Sequence, residues 1–461
     1  MAPRRRRVAS PRPRRATFHA IQRDPDGNIN ALYDPISNQP KDMRHAELTQ
    51  NITIPRQKLR RLFAAVFLPN GYPNSVRSEY ITFQFFDTLQ AACSYLRNIL
   101  TTSALLRGAG VGRDGASPIA AALAWILRDG LGMLGSLFFS CLVGSNFDHN
   151  VKEWRLFADL INDVGLTLDM LAPLASGSAG YTIVASLGVA CKTVCGMVAG
   201  ATRASITAHF SLRENLADVS AKEGAQETAV TLLGLLLGSA LAHRIGESQF
   251  VAWFAFVLLT AVHVWSNWLG VGCLTLTSIN GQRATILCRA WVEACATGRN
   301  GKVDALTPLQ VAEIEKPWGP LFLWLRGPRI GYGLKAVAGG TISLQRLFDI
   351  FDDCEYLLVL DNRNIPVVSL KSGATDETLL QVYLHCAELE RLGSKSTLED
   401  NLAKQLLSSK SYTQREWKYF ATALRRAGWD AASTRLDACK GIRVELVESD
   451  LNLSDEDDSD K

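Results

Sequence analysis

Thirty-five consecutive residues, 248–282, contain no Asp, Glu, Lys or Arg. A stretch of that length must pair its backbone internally and find an apolar surround, so a helix in a large core and a helix in a bilayer are the two outcomes. Within it, 250–269 (FVAWFAFVLLTAVHVWSNWL) is apolar apart from His263, Ser266, Asn267 and one Thr. Trp265 and Trp268 stand near its end, as an interface belt would place them. About 20 apolar residues cross a hydrocarbon core. The segment is therefore the strongest candidate span, with a buried helix of a soluble bundle as the alternative. Three more runs without a charged residue, 130–147, 170–191 and 228–243, are shorter or broken, and either reading suits them.

Small residues recur with a helical period in the same region. Gly188, Gly196, Gly200, Ala204 and Ala208 share one i,i+4 row, interrupted by Lys192, and Gly234, Gly238 and Ala242 form a second. In lipid no hydrophobic force draws helices together, and such rows let their backbones approach closely. The fold class expected is mainly α: a membrane-associated bundle of about 5–6 apolar helices over 55–298, then a small α+β C-terminal domain at 345–447. Between them 299–344, punctuated by Pro317, Gly319, Pro320 and Pro328, reads as a linker. In the C-terminal unit 355–361 and 365–370 are predicted strands joined by Asn362, Arg363 and Asn364. Apolar periodicity predicts a helix over 375–392, Thr413 with Glu416 predicts the start of another running to 427, and 442–447 alternates like a closing strand. After the strongest span come Arg283, Arg289, Arg299 and Lys302 against the single acid Glu293, which would place that side in the cytosol or matrix.

The ends carry opposite charge. Arg4, Arg5, Arg6, Arg7, Arg12, Arg14, Arg15 and Arg23 precede the first acid, Asp24, while the chain from Glu445 onward carries Glu445, Glu448, Asp450, Asp455, Glu456, Asp457, Asp458 and Asp460 against Lys461 alone. Both ends, 1–50 and 448–461, are expected to be disordered. The net charge of +4 is thus a near cancellation and does not point to nucleic acid. The arginines suit a transit peptide, a nuclear signal, a patch for anionic lipid or a solvated tail, and no apolar h-region follows them to make a secretory signal. Ten cysteines without a CxxC pair read as reduced, buried thiols.

No motif assigns a catalytic residue, a metal or a cofactor. Gly110, Gly112 and Gly115 have dinucleotide spacing, but the residues before them look helical, where a fingerprint needs a strand. Walker A, GxSxG, HExxH and zinc spacings are absent. Polar residues among the apolar helices are the remaining candidates, because ionisable groups at membrane depth need a partner or a water-filled cavity. Arg128 and Asp129 interrupt one apolar helix. Asp159, Asn162 and Asp163 share a helix face one turn beyond Arg155. The densest group is Arg203, His209, Arg213, Asp218, Lys222, Glu223 and Glu227. It suits either a solvated connection or a polar site that takes an anionic small molecule through Arg203, Arg213 and Lys222. If Gly196, Gly200, Ala204 and Ala208 form a packed face, Arg203, His209 and Arg213 are expected beside a shared polar space, with Asp159, Asp163 and Glu227 as their acids.

These same stretches carry a resemblance. FLPNGYPNSVRSEY at 67–80, WILRDGLGMLG at 125–135, KEWRLFADLIND at 152–163, GATRASITAHF at 200–210, NLADVSAKEGAQET at 215–228 and LGLLLG at 233–238 resemble, in order and spacing, the root UVB sensitive (RUS) family. The C-terminal unit is similar to that family's less uniform second domain. The resemblance implies a membrane protein linked in plants to UV-B response, seedling development, auxin transport and vitamin B6 balance, and it assigns no catalytic residue. Two function classes follow. One is an integral, non-enzymatic, transport-related or regulatory protein of a plastid, mitochondrial or endomembrane bilayer, with membrane lipid and another family member as partners. The other is a soluble or peripheral protein that binds or acts on a small phosphorylated cofactor at 203–227.

Overall fold

Each of the sequence's charge-free runs of 16 residues or more contributes a long helical segment in the computed structural model. The structure describes residues 20–23, 29–33, 40–41, 54–109, 118–143, 146–245, 248–298, 303–317, 328–340, 342–361, 363–393, 399–430, 434–436 and 441–445. The Arg-rich start, the glycines at 110–115 and the acidic tail lie outside these residues. The chain divides into two units, 1–68 and 69–461, and is mainly helical.

In the first unit β1 (Ala20–Arg23), β2 (Ile29–Tyr33) and β3 (Pro40–Lys41) pair antiparallel in that order, followed by helix α1 (Ile54–Phe67). The sheet falls inside the stretch expected to be disordered. Ile21, Ile29 and Tyr33 are β-branched or aromatic and favour extended pairing.

In the second unit six helices follow one another: α2 (Tyr80–Gly108), α3 (Pro118–Val143), α4 (Val151–Leu171), α5 (Gly177–Phe210), α6 (Leu216–Ile245) and α7 (Gln249–Gly272). A 3-10 turn at Ala172–Leu174 separates α4 from α5, where Pro173 cannot donate to a continuing helix. Ser248 caps α7 by accepting from the amide of Val251. Three of these helices, α5, α6 and α7, are long and apolar enough to cross a membrane. Their outer faces, with that of α3, are bare of cover: Phe138, Leu236 and Phe254 are 63–67% exposed.

Helix α2 runs at the centre and meets α4, α6 and α7, while α5 packs along α3 and α4. Glycine decides how closely they approach. A Cβ on Gly188 of α5 would lie 2.6 Å from the Asp169 carboxylate and 3.0 Å from the carbonyl of Gly165 on α4. Gly234 and Gly238 of α6 likewise press on Tyr95 and Ile99 of α2. Of the glycines in the first small-residue row, however, only Gly188 is in contact with a neighbouring helix. Gly196 and Gly200 have no heavy atom within 4 Å of where a Cβ would stand, so the packed face expected there is open space.

Beyond α7 lie α8 (Gly281–Ala296), α9 (Pro308–Ile314), β4 (Arg329–Ile330), α10 (Leu334–Ala338), α11 (Leu344–Ile350), β5 (Tyr356–Leu360), β6 (Pro366–Lys371), α12 (Asp376–Leu392), α13 (Glu399–Arg426) and β7 (Arg443–Val444). β5 pairs antiparallel with β6, and β4 and β7 pair parallel with β6 at Val367–Val368 and Leu370–Lys371. One core joins Leu287 and Trp291 of α8 to Leu357, Val368, Leu380, Leu406 and Phe420. Helix α8 buries its apolar face in this core, against the sheet and α12. One expectation changes here. Thr413 starts no helix: it sits in the middle of α13, donating to the Ser409 carbonyl one turn back, because Leu402, Ala403 and Leu406 carry the buried stripe far upstream.

Candidate functional site

Four helices of the bundle each turn one polar stripe inward. On α4 the stripe is Arg155, Asp159 and Asn162; on α5 it is Gly196, Gly200 and Arg203; on α6 it is Glu223, Glu227 and Val230; on α2 it is Asp87, Ala91 and Ser94. Each set is spaced i, i+4, i+7, the spacing that aligns side chains along one helix face. They enclose a cavity of about 410 Å³.

Its charges are arranged around two arginines. Arg155 donates from Nη2 to Asp87 Oδ1 at 2.7 Å, and its Nε stands 3.6 Å from Asp159. Arg203 donates from Nη1 to Glu227 Oε2 at 2.6 Å, with Nε 3.8 Å from Glu223. Glu223 also accepts from the Thr207 hydroxyl at 2.8 Å and from Gln84 Nε2 at 3.1 Å. Two guanidinium groups against four carboxylates give the lining a formal charge of 2 − 4 = −2. Asp159 is 7% exposed, and its Oδ2 accepts no hydrogen bond.

Of the ionisable candidates singled out in the sequence, Asp159, Arg203, Glu223 and Glu227 meet at this cavity, with Arg155 and Asn162 of the same α4 face, and His209, Arg213, Asp218, Lys222, Arg128, Asp129 and Asp163 do not line it. His209 faces away and bonds Glu79 Oε1 through Nε2 at 2.9 Å. It follows Arg203 by six residues, which at about 100° per residue turns it some 120° off the cavity stripe. Arg213 lies beyond the end of α5 and is exposed. Lys222 reaches Asp218, one turn earlier on α6, at 4.0 Å, and Asp218 accepts from the Asn70 amide at 2.7 Å. The shared space expected for Arg203, His209 and Arg213 is thus not formed. Arg128 and Asp129 pair with each other at 2.8 Å, with Arg128 stacked 3.8 Å over the Trp125 ring.

Asp163 serves a different cluster. It accepts from Arg97 Nη1 at 2.6 Å and meets His263 Nδ1 at 3.2 Å, and Arg97 also donates to Thr260 at 3.1 Å. This fully buried group ties α2, α4 and α7 together. Neither Arg97 nor His263 was among the sequence candidates. The available signal was that Arg97 is the only charged residue between 88 and 106. Lys192, which interrupts the glycine row, pairs with Asp169 on α4.

Around the bundle end the stretches of characteristic sequence meet one another. Glu79, just ahead of α2, accepts from His209 and from the backbone and hydroxyl of Thr275, and Arg77 donates to the His209 carbonyl. Burial pushes the Glu79 carboxyl up, but these hydrogen bonds outweigh it and hold the group at about 2. A buried trio joins α4 to the next unit: Lys152 at 2.7 Å and Arg283 at 2.9 Å share Glu315. Burial alone would raise Glu315, yet the two cations hold it below the usual carboxylate range. Among the described residues no three His, Cys, Asp or Glu side chains gather as metal ligands.

Residues 54–294, which include the whole cavity lining, match the family model described as the vitamin B6 photo-protection and homoeostasis domain. Protein root UVB sensitive 3 of Arabidopsis thaliana is 37% identical over 353 residues, covering 73% of this chain and 77% of its own length. RUS family member 1 of Dictyostelium discoideum is 42% identical over 224 residues, 48% of this chain and 42% of that protein. Protein root UVB sensitive 5 of Arabidopsis thaliana is 28% identical over 400 residues, 82% of this chain and 75% of that protein. No solved structure matches.

Proposed function

The chain belongs to the root UVB sensitive family, and from that premise we propose that it is an integral membrane protein, non-enzymatic and transport-related or regulatory, whose polar cavity holds a small ligand. One observation carries the reading: the bundle leaves apolar side chains uncovered on its outside while burying ionisable ones inside. Leu232, Leu233, Leu235, Leu236 and Leu237 of α6 are all more than half exposed, as are Phe250, Phe254, Val257 and Leu258 of α7. Soluble monomers rarely leave contiguous apolar patches of more than a few hundred Å² uncovered. Inside the same helices Arg97 and His263 are fully buried around Asp163. Ionisable groups at membrane depth, facing each other or a cavity, are the usual mark of function in a bilayer.

In this reading α2–α7 form the embedded bundle, and the sheet with α8–α13 forms an α+β unit outside it. Lipid is the first partner, and another copy or another family member is the second. The description of the matched domain supports a role in vitamin B6 homoeostasis. The name of one relative, protein root UVB sensitive 2, chloroplastic, of Arabidopsis thaliana, makes an organellar bilayer a reasonable first place to look. Alkaline carbonate extraction of membranes from cells that express the full chain tests the reading. Retention in the pellet supports embedding, and release with the peripheral proteins overturns it.

A further inference from the structure

We infer that the cavity among α2, α4, α5 and α6 binds a small organic cation, a protonated amine on a compact apolar body; this rests on the reading above that the cavity is the ligand site.

Charge is the first ground. Asp87, Asp159, Glu223 and Glu227 outnumber Arg155 and Arg203 in the lining. Both guanidinium groups are already engaged, Arg155 between Asp87 and Asp159 and Arg203 between Glu227 and Glu223. An anion would have to displace a carboxylate from its arginine and then sit among four acids. A cation meets the surplus directly, and at the buried carboxylates of Asp159 and Glu223 the same charge acts more strongly than in water.

The second ground is an unfilled acceptor. Asp159 is more than nine-tenths buried and lines the cavity, and its Oδ2 has only the Arg155 Nε at 3.6 Å, an ion-pair contact too long for a hydrogen bond. A buried carboxylate oxygen left so costs free energy unless a donor arrives, and an ammonium group supplies up to three. The third ground is shape. Gly196 and Gly200 leave open space where side chains would stand. Phe83, Tyr95 and Ile206 add apolar and aromatic wall. That wall suits a hydrocarbon body, and the face of a tyrosine attracts a cation. About 410 Å³ falls in the range of small-molecule sites. Among the described residues the carboxylates do not gather as metal ligands, which favours an organic cation over a bare metal ion.

The test uses purified full-length protein in lipid nanodiscs and three probes on one skeleton: benzylamine, benzyl alcohol and benzyl phosphate. Titration calorimetry should show saturable binding of benzylamine, binding of the alcohol at least 10-fold weaker, and no binding of the phosphate. Asp159→Asn, which keeps shape and removes charge, and Glu227→Gln should each weaken benzylamine at least 10-fold, with elution profile and melting temperature kept as controls of folding. Tighter binding of benzyl phosphate, or amine affinity indifferent to both substitutions, would overturn the cation assignment. So would failure of every alkylammonium from methylammonium to phenethylammonium to bind. Gly200→Leu fills the open space and separates the two readings: it should abolish amine binding and fail to complement a null mutant at normal protein level. Full complementation by that variant would remove the cavity as the ligand site, whatever its charge preference.

Discussion

Replacing Arg97 by methionine strands Asp163. The arginine side chain is completely buried, the carboxylate is 8% exposed, and 2.6 Å separates Nη1 from Oδ1. Removing one partner of a buried pair costs about 3–5 kcal/mol, because the remaining charge keeps its desolvation penalty without its compensation. Thr260 loses a donor as well, but its hydroxyl still donates to the Phe256 carbonyl, so that loss is small. His263 stays 3.2 Å from Asp163 and keeps the carboxylate from total isolation, which places the expected cost near the lower end of the range, about 3 kcal/mol. Arg97→Met with Asp163→Leu removes both charges, and the double variant should be more stable than Arg97→Met alone, since apolar replacement of a whole buried pair is often close to neutral. Unfolding of the purified chain by increasing SDS mole fraction, followed by circular dichroism, measures both. Neutral interhelical hydrogen bonds in membranes average about 0.6 kcal/mol. A loss that small for Arg97→Met, or strict additivity of the two changes, would refute a charged pair here.

Leu258 stands near the middle of α7 and is 54% exposed, so Leu258→Asp should raise the apparent insertion free energy by about 2.5–3.5 kcal/mol in a translocon-insertion assay, and unchanged insertion would count against α7 as a span. Gly188→Ala and Gly200→Ala should shift the melting temperature in opposite directions. The first forces a Cβ to within 2.6 Å of the Asp169 carboxylate and should cost about 1–3 kcal/mol. The second meets nothing within 4 Å and should gain about 0.5–1 kcal/mol in helix propensity; shifts of one sign would show that the two glycines share a role. His385 of α12 is buried between the Tyr356 and Ser409 hydroxyls, and burial pushes its imidazole down from 6.5 to about 3. The unfolded chain therefore takes up a proton below pH 6.5 that the folded chain takes up only near pH 3. Stability is fully present above 6.5 and falls by about 1.4 kcal/mol per pH unit between those values. Hydrogen exchange of α12 and α13 in the intact protein from pH 6.5 to 4.5 should show this fall in the wild type and a shallower one in His385→Asn. Equal slopes would mean the imidazole is not buried neutral.

How much of this was legible in the sequence depended on how local each cause is. Absence of charge over 16 residues or more is a local property, and it located α6 and α7 and much of α5. Caps are local too but weak. The Thr413 signature reads as a helix start only if the residues before it are not already helical, and the buried stripe from Leu402 onward makes them so. Where α8 packs is not legible locally, because its neighbours in sequence are the apolar helices, whereas the partners of Leu287 and Trp291 lie some 70 to 130 residues further on, in the sheet and in α13. No periodicity within α8 encodes which of the two cores will receive it.

The site was legible in composition and not in arrangement, for a related reason. Arg203, Glu223 and Glu227 could be grouped because α5 and α6 are consecutive and their facing ends are close along the chain. Asp159 and Asp163 could be placed on one face of α4, but four residues advance a helix by about 400°, leaving the two carboxylates some 40° apart. That is enough for one to enter the cavity while the other reaches Arg97 and His263. The glycine row misled in the same way. A glycine on a helix face lets a neighbour come close only if that neighbour can pack without stranding a charge, and Gly188 meets such a partner in Gly165 of α4. Two and three turns further along, Gly196 and Gly200 look toward stripes that carry Asp87, Arg155, Asp159, Glu223 and Glu227. Charged side chains in that number cannot interdigitate dry, since each would have to shed its solvation for an imperfect partner. The helices are therefore held apart at that level by the charges they present, and the same residue type that closes the bundle at Gly188 opens it at Gly200.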